Sequence, residues 1–394
     1  MFPMGFASGL PLALSGGTLQ AWLTTAGVDI KTIGLFSMVA IPYTFKFLWS
    51  PIMDRITLPF LDRRRGWILL CQVCLAIFCT AMALLDPSEQ TSVAAMLALL
   101  LAFFSASQDI VIDAYRTDIL KEKERGLGVG LTVTGYRIAM LVSGALALVL
   151  ADHIGWKSTY LIMACLITTC IIFTLIAPES KLVDQTPATL YDAVIEPLKD
   201  LFFRKSILLI LILIVLYKIG DAFAGTLTTA FLIRGAGFSP SDVGTINKGL
   251  GLLATILGAI TGGALMTRLG LFRSLVFFGI LQAISNLAFM ALAMVGKSYP
   301  MMIFAVGLEN ICGGMGTAAF VSLLMALCNV RFSATQYALL SALASIGRVF
   351  VGPPSGYLVA YLGWSKFFFV TFLAAIPGLI LLYFLKNQII SLDR

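Results

Sequence analysis

Apolar runs long enough to cross a bilayer dominate this chain, and no other feature limits its fold as much. Twelve can be marked: 2–25, 32–50, 67–85, 92–114, 127–150, 158–177, 206–233, 241–266, 272–295, 300–327, 336–361 and 365–385. About 20 helical residues span the hydrocarbon core. In lipid every backbone group must be satisfied internally, which leaves only helices and closed barrels. Barrel strands read as weakly alternating segments of about ten residues, whereas these runs reach helical span length. Composition agrees, with 59% hydrophobic and 12% charged residues against about 25% charged in soluble domains. The expected class is an all-α membrane protein with twelve transmembrane helices.

The runs fall as six, a polar stretch, then six. This predicts an N-terminal bundle over 1–178, a cytoplasmic linker over 179–205 and a C-terminal bundle over 206–394. Repeated residues support a duplication. Gly155-Trp156-Lys157-Ser158 opens span six and Gly363-Trp364-Ser365-Lys366 opens span twelve. Gly135-Tyr136-Arg137 in span five is matched by Gly347-Arg348 in span eleven, each followed by a Ser-Gly pair. Basic residues follow spans two and eight: Arg63-Arg64-Arg65 after one, Arg268 and Arg273 after the other. A 6+6 repeat with these basic loops resembles the major facilitator superfamily, two pseudo-symmetric six-helix bundles related by an axis along the membrane normal.

Lysine and arginine set the orientation. Seventeen lie on the side of the linker and five on the other, so both termini are expected in the cytoplasm. The net charge of +7 follows from those loops and does not imply nucleic acid. No charged region precedes the first apolar run, so no cleavable signal peptide is expected. The run begins almost at Met1, and a natural start further upstream is expected.

Ionisable groups inside spans are costly, about 2.5–3.5 kcal/mol each at the bilayer centre on insertion scales, and mark functional interiors. Asp109 and Asp113 share a face of span four, with Arg116 three residues on. Arg137 lies about 15 Å into span five, Lys218 and Arg348 about 18 Å into spans seven and eleven, and Glu309 about 13 Å into span ten. Three of these four midplane groups are cations, which favours an anionic solute that neutralises them. Gln20, Gln108, Asn310, Asn247, Gln282 and Asn286 add neutral hydrogen bonds suited to sugar hydroxyls or amides. Other readings stay open. Lys218 and Asp221 can neutralise each other, Asp113 and Arg116 can pair at a helix end, and Lys46 can snorkel to the interface. If protons drive transport, the carrier is a carboxylate, with Asp109 first, then Glu309 and Asp221.

Enzyme chemistry finds no support. The single histidine, His153, cannot build a metal site or a triad with any partner the sequence identifies. Cys71-x-x-Cys74 lacks the context of a redox or zinc site. Gly126-x-Gly128-x-Gly130, Gly258-x-x-x-Gly262 and Gly313-Gly314-x-Gly316 follow no strand and carry no phosphate-binding lysine; close helix packing explains them. No cofactor and no metal are implied.

Gly5-Phe6-Ala7-Ser8-Gly9-Leu10-Pro11-Leu12, Phe45-Lys46-Phe47-Leu48-Trp49-Ser50-Pro51-Ile52-Met53-Asp54-Arg55, Arg63-Arg64-Arg65-Gly66-Trp67, Ser105 to Asp118, Glu124-Arg125-Gly126 and Gly135-Tyr136-Arg137 together resemble the AmpG muropeptide permeases. The likeness is dense over 5–178 and thinner beyond. It implies a bacterial inner-membrane importer of N-acetylglucosaminyl-1,6-anhydro-N-acetylmuramyl peptides. The resemblance further implies that import depends on the proton gradient, serves peptidoglycan recycling and, where β-lactamase is inducible, feeds its induction. It also implies a central role for Gln108 and Asp109. The resulting expectation is a monomeric secondary transporter. Asp109, Glu309 and Asp221 couple protons. Gln108, Asp109, Arg137, Lys218, Arg348, Gln20 and Asn310 bind the cargo. Asp54, Arg55, Asp113 and Arg116 form a cytoplasmic gate. The alternatives are a carrier of an acyl-coenzyme A or nucleotide-type anion, a membrane enzyme acting on cell-wall precursors, and a sensor, whose output domain is missing.

Overall fold

A computed structural model describes residues 1–394 except 51–52, 54–55, 60, 120–124, 180–198, 204–205, 329–332 and 393–394. All regular structure among the described residues is helical. Among the described residues, eight helical runs are long and apolar enough to cross a membrane, and two of them, Leu131–Ile176 and Leu339–Phe384, reach 46 residues. Both long runs break at one glycine with non-helical backbone angles, Gly155 (φ 81°, ψ 162°) and Gly363 (φ 75°, ψ 170°). Positive φ is disfavoured for residues with a Cβ, so the glycine of each repeated Gly-Trp pair makes the break.

The first span is not continuous. It divides into α1 (Phe2–Leu14) and α2 (Gly17–Thr25), separated at Ser15–Gly16. Pro11 lies inside α1; it has no N–H, so the carbonyl of Ala7, four residues back, loses its helical donor. The second span alternates α and 3₁₀ turns: α3 (Ile30–Leu35), a 3₁₀ turn over Phe36–Ala40, α4 (Ile41–Phe45) and a 3₁₀ turn over Lys46–Leu48. Pro42 near the start of α4 withholds another donor and favours the tighter turn before it.

The remaining elements are long. They are α5 (Arg63–Ala83), α6 (Thr91–Ile119), α7 (Arg125–Met140), a π turn over Leu141–Leu146, α8 (Ala147–Ile176) and α9 (Ile207–Ala230). A π turn over Phe231–Gly235, the short α10 (Pro240–Asp242) and a π turn over Val243–Leu250 lead to α11 (Gly251–Leu269). Then follow α12 (Leu271–Val295), α13 (Tyr299–Ala326), α14 (Ser333–Phe350), α15 (Gly352–Phe384) and α16 (Lys386–Ser391). Large apolar side chains stay exposed at helical spacing, as with Leu253, Leu257 and Ile260 on α11. Such a stripe suits lipid and not water.

Two compact units emerge. One gathers Met1–Asp29, Phe36–Asp184 and Phe238–Lys248; the other gathers Ile30–Leu35, Gln185–Gly237 and Gly249–Arg394. In the first unit, α1 and α7 cross so closely that side chains have no room. A Cβ on Gly5 would stand 2.0 Å from the Thr132 carbonyl oxygen, and one on Gly135 would stand 2.3 Å from that of Phe2. The Gly5-x-x-x-Gly9 spacing is thus a small-residue crossing. In the second unit the same device joins α11 to α13, where a Cβ on Gly258 would meet the Ile311 carbonyl oxygen at 2.2 Å.

The Gly-Trp repeat closes each unit at matching places. Trp156 donates to the Thr25 hydroxyl (2.8 Å) and stacks on Trp22. Trp364 packs on Phe231 in the π turn after α9, with ring centroids 5.3 Å apart. At the other end of the first unit, buried Arg64 pairs with Asp118 at 2.8 Å. Arg65 pairs with Asp62 and donates to the Ala177 carbonyl (2.7 Å) and to Glu179 (2.9 Å). These arginines tie the start of α5 to the ends of α6 and α8, which offsets the cost of burying them.

Candidate functional site

In the first unit, α1 and α6 meet through two neighbouring polar contacts. Gln108 donates from Nε2 to the Ala7 carbonyl at 2.7 Å. That is the carbonyl deprived of its donor by Pro11, so the side chain of α6 repairs a defect written into α1. One residue on, Ser8 donates from Oγ to Asp109 at 2.5 Å. A hydrogen bond to a charged group contributes about 1.5–3 kcal/mol. Gln108 is 1% exposed and its Oε1 has no partner among the described residues.

Asp109 is half-buried. Lys46 and Asp113 act on it with opposite sign, and its charge is felt by Tyr43 and Tyr136. Tyr43 lies within hydrogen-bond distance of Ser15, 3.3 Å away. Trp49 donates to Ser107 at 2.9 Å. The result is a carboxylate set among hydroxyls on α1, α4, α6 and α7, where a proton has several oxygen neighbours. Arg137, on α7, is exposed and forms no ion pair among the described residues.

The second unit holds a cavity of about 180 Å³ lined by Lys218, Asp221, Thr317, Phe320, Ser341, Ser345 and Arg348. Lys218 donates to Asp221 (3.4 Å) and to Thr317 (3.2 Å), and its ammonium lies 5.8 Å from the centre of the Phe320 ring. Phe320 stacks in turn on Tyr217, which donates to the Leu275 carbonyl at 2.9 Å. Lys218 and Asp221 do pair, so their charges offset. Arg348 is exposed and has no carboxylate partner among the described residues, leaving the cavity one positive charge in excess. That is well above the roughly 10–15 Å³ that one water needs, so the cavity admits a charged end group.

Other expected site residues have different settings. Asn310 accepts from Thr255 (3.0 Å) and donates to the Val306 carbonyl (2.8 Å) and to Glu309 (2.9 Å), all within the α11–α13 seam. Gln20 is on α2, half-buried. Arg116 and Asp113 form an ion pair of 3.1 Å on α6, and both side chains are partly exposed. Asp54 and Arg55 lie outside the described residues. Three or more histidine, cysteine, aspartate or glutamate residues do not cluster anywhere among the described residues in a way that would hold a metal.

The model of the Major Facilitator Superfamily matches residues 1–295. Over 380 residues the chain is 58% identical to the anhydromuropeptide permease of Escherichia coli (strain K12), covering 96% of this chain and 77% of that protein. The chain belongs to the AmpG muropeptide permease family of the major facilitator superfamily. It is therefore a multi-pass membrane transporter. A putative transporter AmpG 4 of Rickettsia conorii is 35% identical over 99% of this chain and 96% of its own length. Among solved structures, a peptide transporter of the POT family in complex with sulfate superposes with a TM-score of 0.75 at 13% identity, covering 99% of this chain and 94% of that one. The D-xylose–proton symporter superposes with a TM-score of 0.73 at 11% identity, covering 97% and 95%. At such identity the likeness shows the fold alone.

Several residues of these two sites escaped sequence reasoning. Ser8 sits inside the glycine motif of α1 and reads as a small packing residue. Ser341 and Ser345 share one face of α14 with Arg348 at helical spacing, a signal visible in the chain because Arg348 is already singled out. Phe320 and Tyr217 read as plain core, and nothing local marks them as a cavity wall.

Proposed function

We propose that this chain imports N-acetylglucosaminyl-1,6-anhydro-N-acetylmuramyl peptides across a bacterial inner membrane, driven by the proton gradient. The observation that carries this reading is the hydroxyl-lined cavity with Arg348, which has no carboxylate partner among the described residues. It suits the carboxylate of an acidic peptide, because a charged hydrogen bond there is about twice as strong as a neutral one. Lys218 and Arg137 are further cations for the peptide portion. Asp109, with Ser8 as its donor, is the leading proton carrier, and Glu309 and Asp221 are the next candidates. Asp113 and Arg116, with Asp54 and Arg55, act as a cytoplasmic gate. Import of this kind feeds peptidoglycan recycling and, where the enzyme is inducible, the signal for β-lactamase.

Twelve crossings with cytoplasmic termini are part of the same reading. Eight long apolar runs support it. Two of them would be about 69 Å long as straight helices, twice the hydrocarbon thickness, and each breaks at a glycine midway. The stretches 2–25 and 30–48 are broken helices that add a crossing each.

Uptake into proteoliposomes tests the proposal. Labelled anhydro-muropeptide should accumulate with an inward proton gradient and only equilibrate without one. Accumulation of an acyl-coenzyme A thioester in its place, with no muropeptide uptake, would overturn the choice of cargo.

A further inference from the structure

On α12, Gln282 and Asn286 stand one turn apart on one face. They are 5% and 1% exposed, and neither Gln282 Nε2 nor Asn286 Nδ2 has a hydrogen-bond partner among the described residues. A buried amide nitrogen without an acceptor is costly, so two in adjacent turns call for an explanation. The facing helix provides space for them. A Cβ on Gly316 of α13 would stand 2.6 Å from Gln282 Oε1, and one on Gly313 would stand 3.8 Å from its Nε2. Gly316, with Gly313 at ordinary contact distance, therefore leaves a notch that receives the Gln282 amide oxygen.

The notch lies within one helical turn of residues that line the cationic cavity. Gly313 and Gly316 lie one turn before Thr317 and Phe320 on the same face of α13, and Thr317 and Phe320 line that cavity. The chemistries differ. Arg348 and Lys218 suit a carboxylate, whereas neutral amide donors suit an oxygen that accepts without carrying a full charge.

We propose that Gln282 and Asn286 form a neutral subsite for an acetamido carbonyl oxygen of the cargo's sugar portion, beside the cavity that takes the peptide carboxylate. This rests on the sugar-peptide reading given above. The subsite discriminates by polar complementarity: a cargo lacking the acetamido oxygen leaves two buried donors unpaired.

Titration calorimetry of the purified full chain tests it with three probes: the acetamido disaccharide-peptide, its analogue with hydroxyl in place of each acetamido group, and the peptide alone. The wild-type chain should prefer the first probe over the second by about tenfold, the worth of one well-made neutral hydrogen bond. Gln282→Met and, separately, Asn286→Leu should abolish that preference and leave affinity for the peptide alone unchanged, which also reports that the variant is folded. No preference in the wild-type chain, or an intact preference in a variant that still binds the peptide, would overturn the subsite. A wild-type chain that binds none of the three probes would overturn the sugar-peptide reading itself.

Discussion

The two units share a framework and differ in what they place inside it. Each closes on a positive-φ glycine followed by a tryptophan, Trp156 against Trp22 in one and Trp364 against Phe231 in the other. Yet the polar centre of the first unit is a carboxylate, Asp109, held by the Ser8 hydroxyl. That of the second is a cavity whose charge is set by Lys218, Asp221 and Arg348. The duplicated features are those that shape helix breaks and seams, which either unit needs in order to pack. The features that diverged are single side chains facing polar space, where one substitution changes the chemistry without disturbing the backbone.

Matching glycines give the largest expected contrast. Gly135 and Gly347 occupy repeated positions, but a Cβ on Gly135 would meet the Phe2 carbonyl oxygen at 2.3 Å, while one on Gly347 would meet Val215 at 3.8 Å. Gly135→Ala should cost about 1–3 kcal/mol through overpacking against backbone, read as a lowered thermal unfolding midpoint in detergent. Arg348→Gln comes next. It should weaken affinity for the peptide-bearing cargo by about tenfold, through loss of a charged hydrogen bond, while gradient-driven accumulation at saturating cargo survives. If affinity is unchanged, the second unit's cavity is not the anion site. Gly347→Ala should give the smallest effect, within about 1 kcal/mol of wild type and in either direction, since alanine is the better helix former. Equal losses at both glycines would show that the two seams are equally tight, against the geometry described here.

Much of the framework was legible in the chain, for a physical reason. Span length, basic loops and the Gly-Trp repeat are local signals fixed by bilayer thickness and backbone sterics. The break at Ser15–Gly16, the alternating turns of 30–48 and the π turns were not legible, because hydropathy measures burial and says nothing about which carbonyl lacks a donor. At the candidate sites, periodicity found the charged residues but not their partners. Asp113 with Arg116 and Lys218 with Asp221 were readable because each pair sits three residues apart on one helix. Ser8 with Asp109, 101 residues apart, was not. Pro11 hints at an unfilled carbonyl on Ala7, but only the fold reveals that Gln108 fills it.

The central claim is a division of labour, with the proton handled first at Asp109 and the cargo's negative charge chiefly at Arg348 in the second unit. The most direct test follows internal pH in proteoliposomes when muropeptide is added outside with no imposed gradient. Acidification should accompany uptake in the wild-type chain and, at higher cargo concentration, in Arg348→Gln. In Asp109→Asn it should be absent. Full acidification by Asp109→Asn would contradict the account.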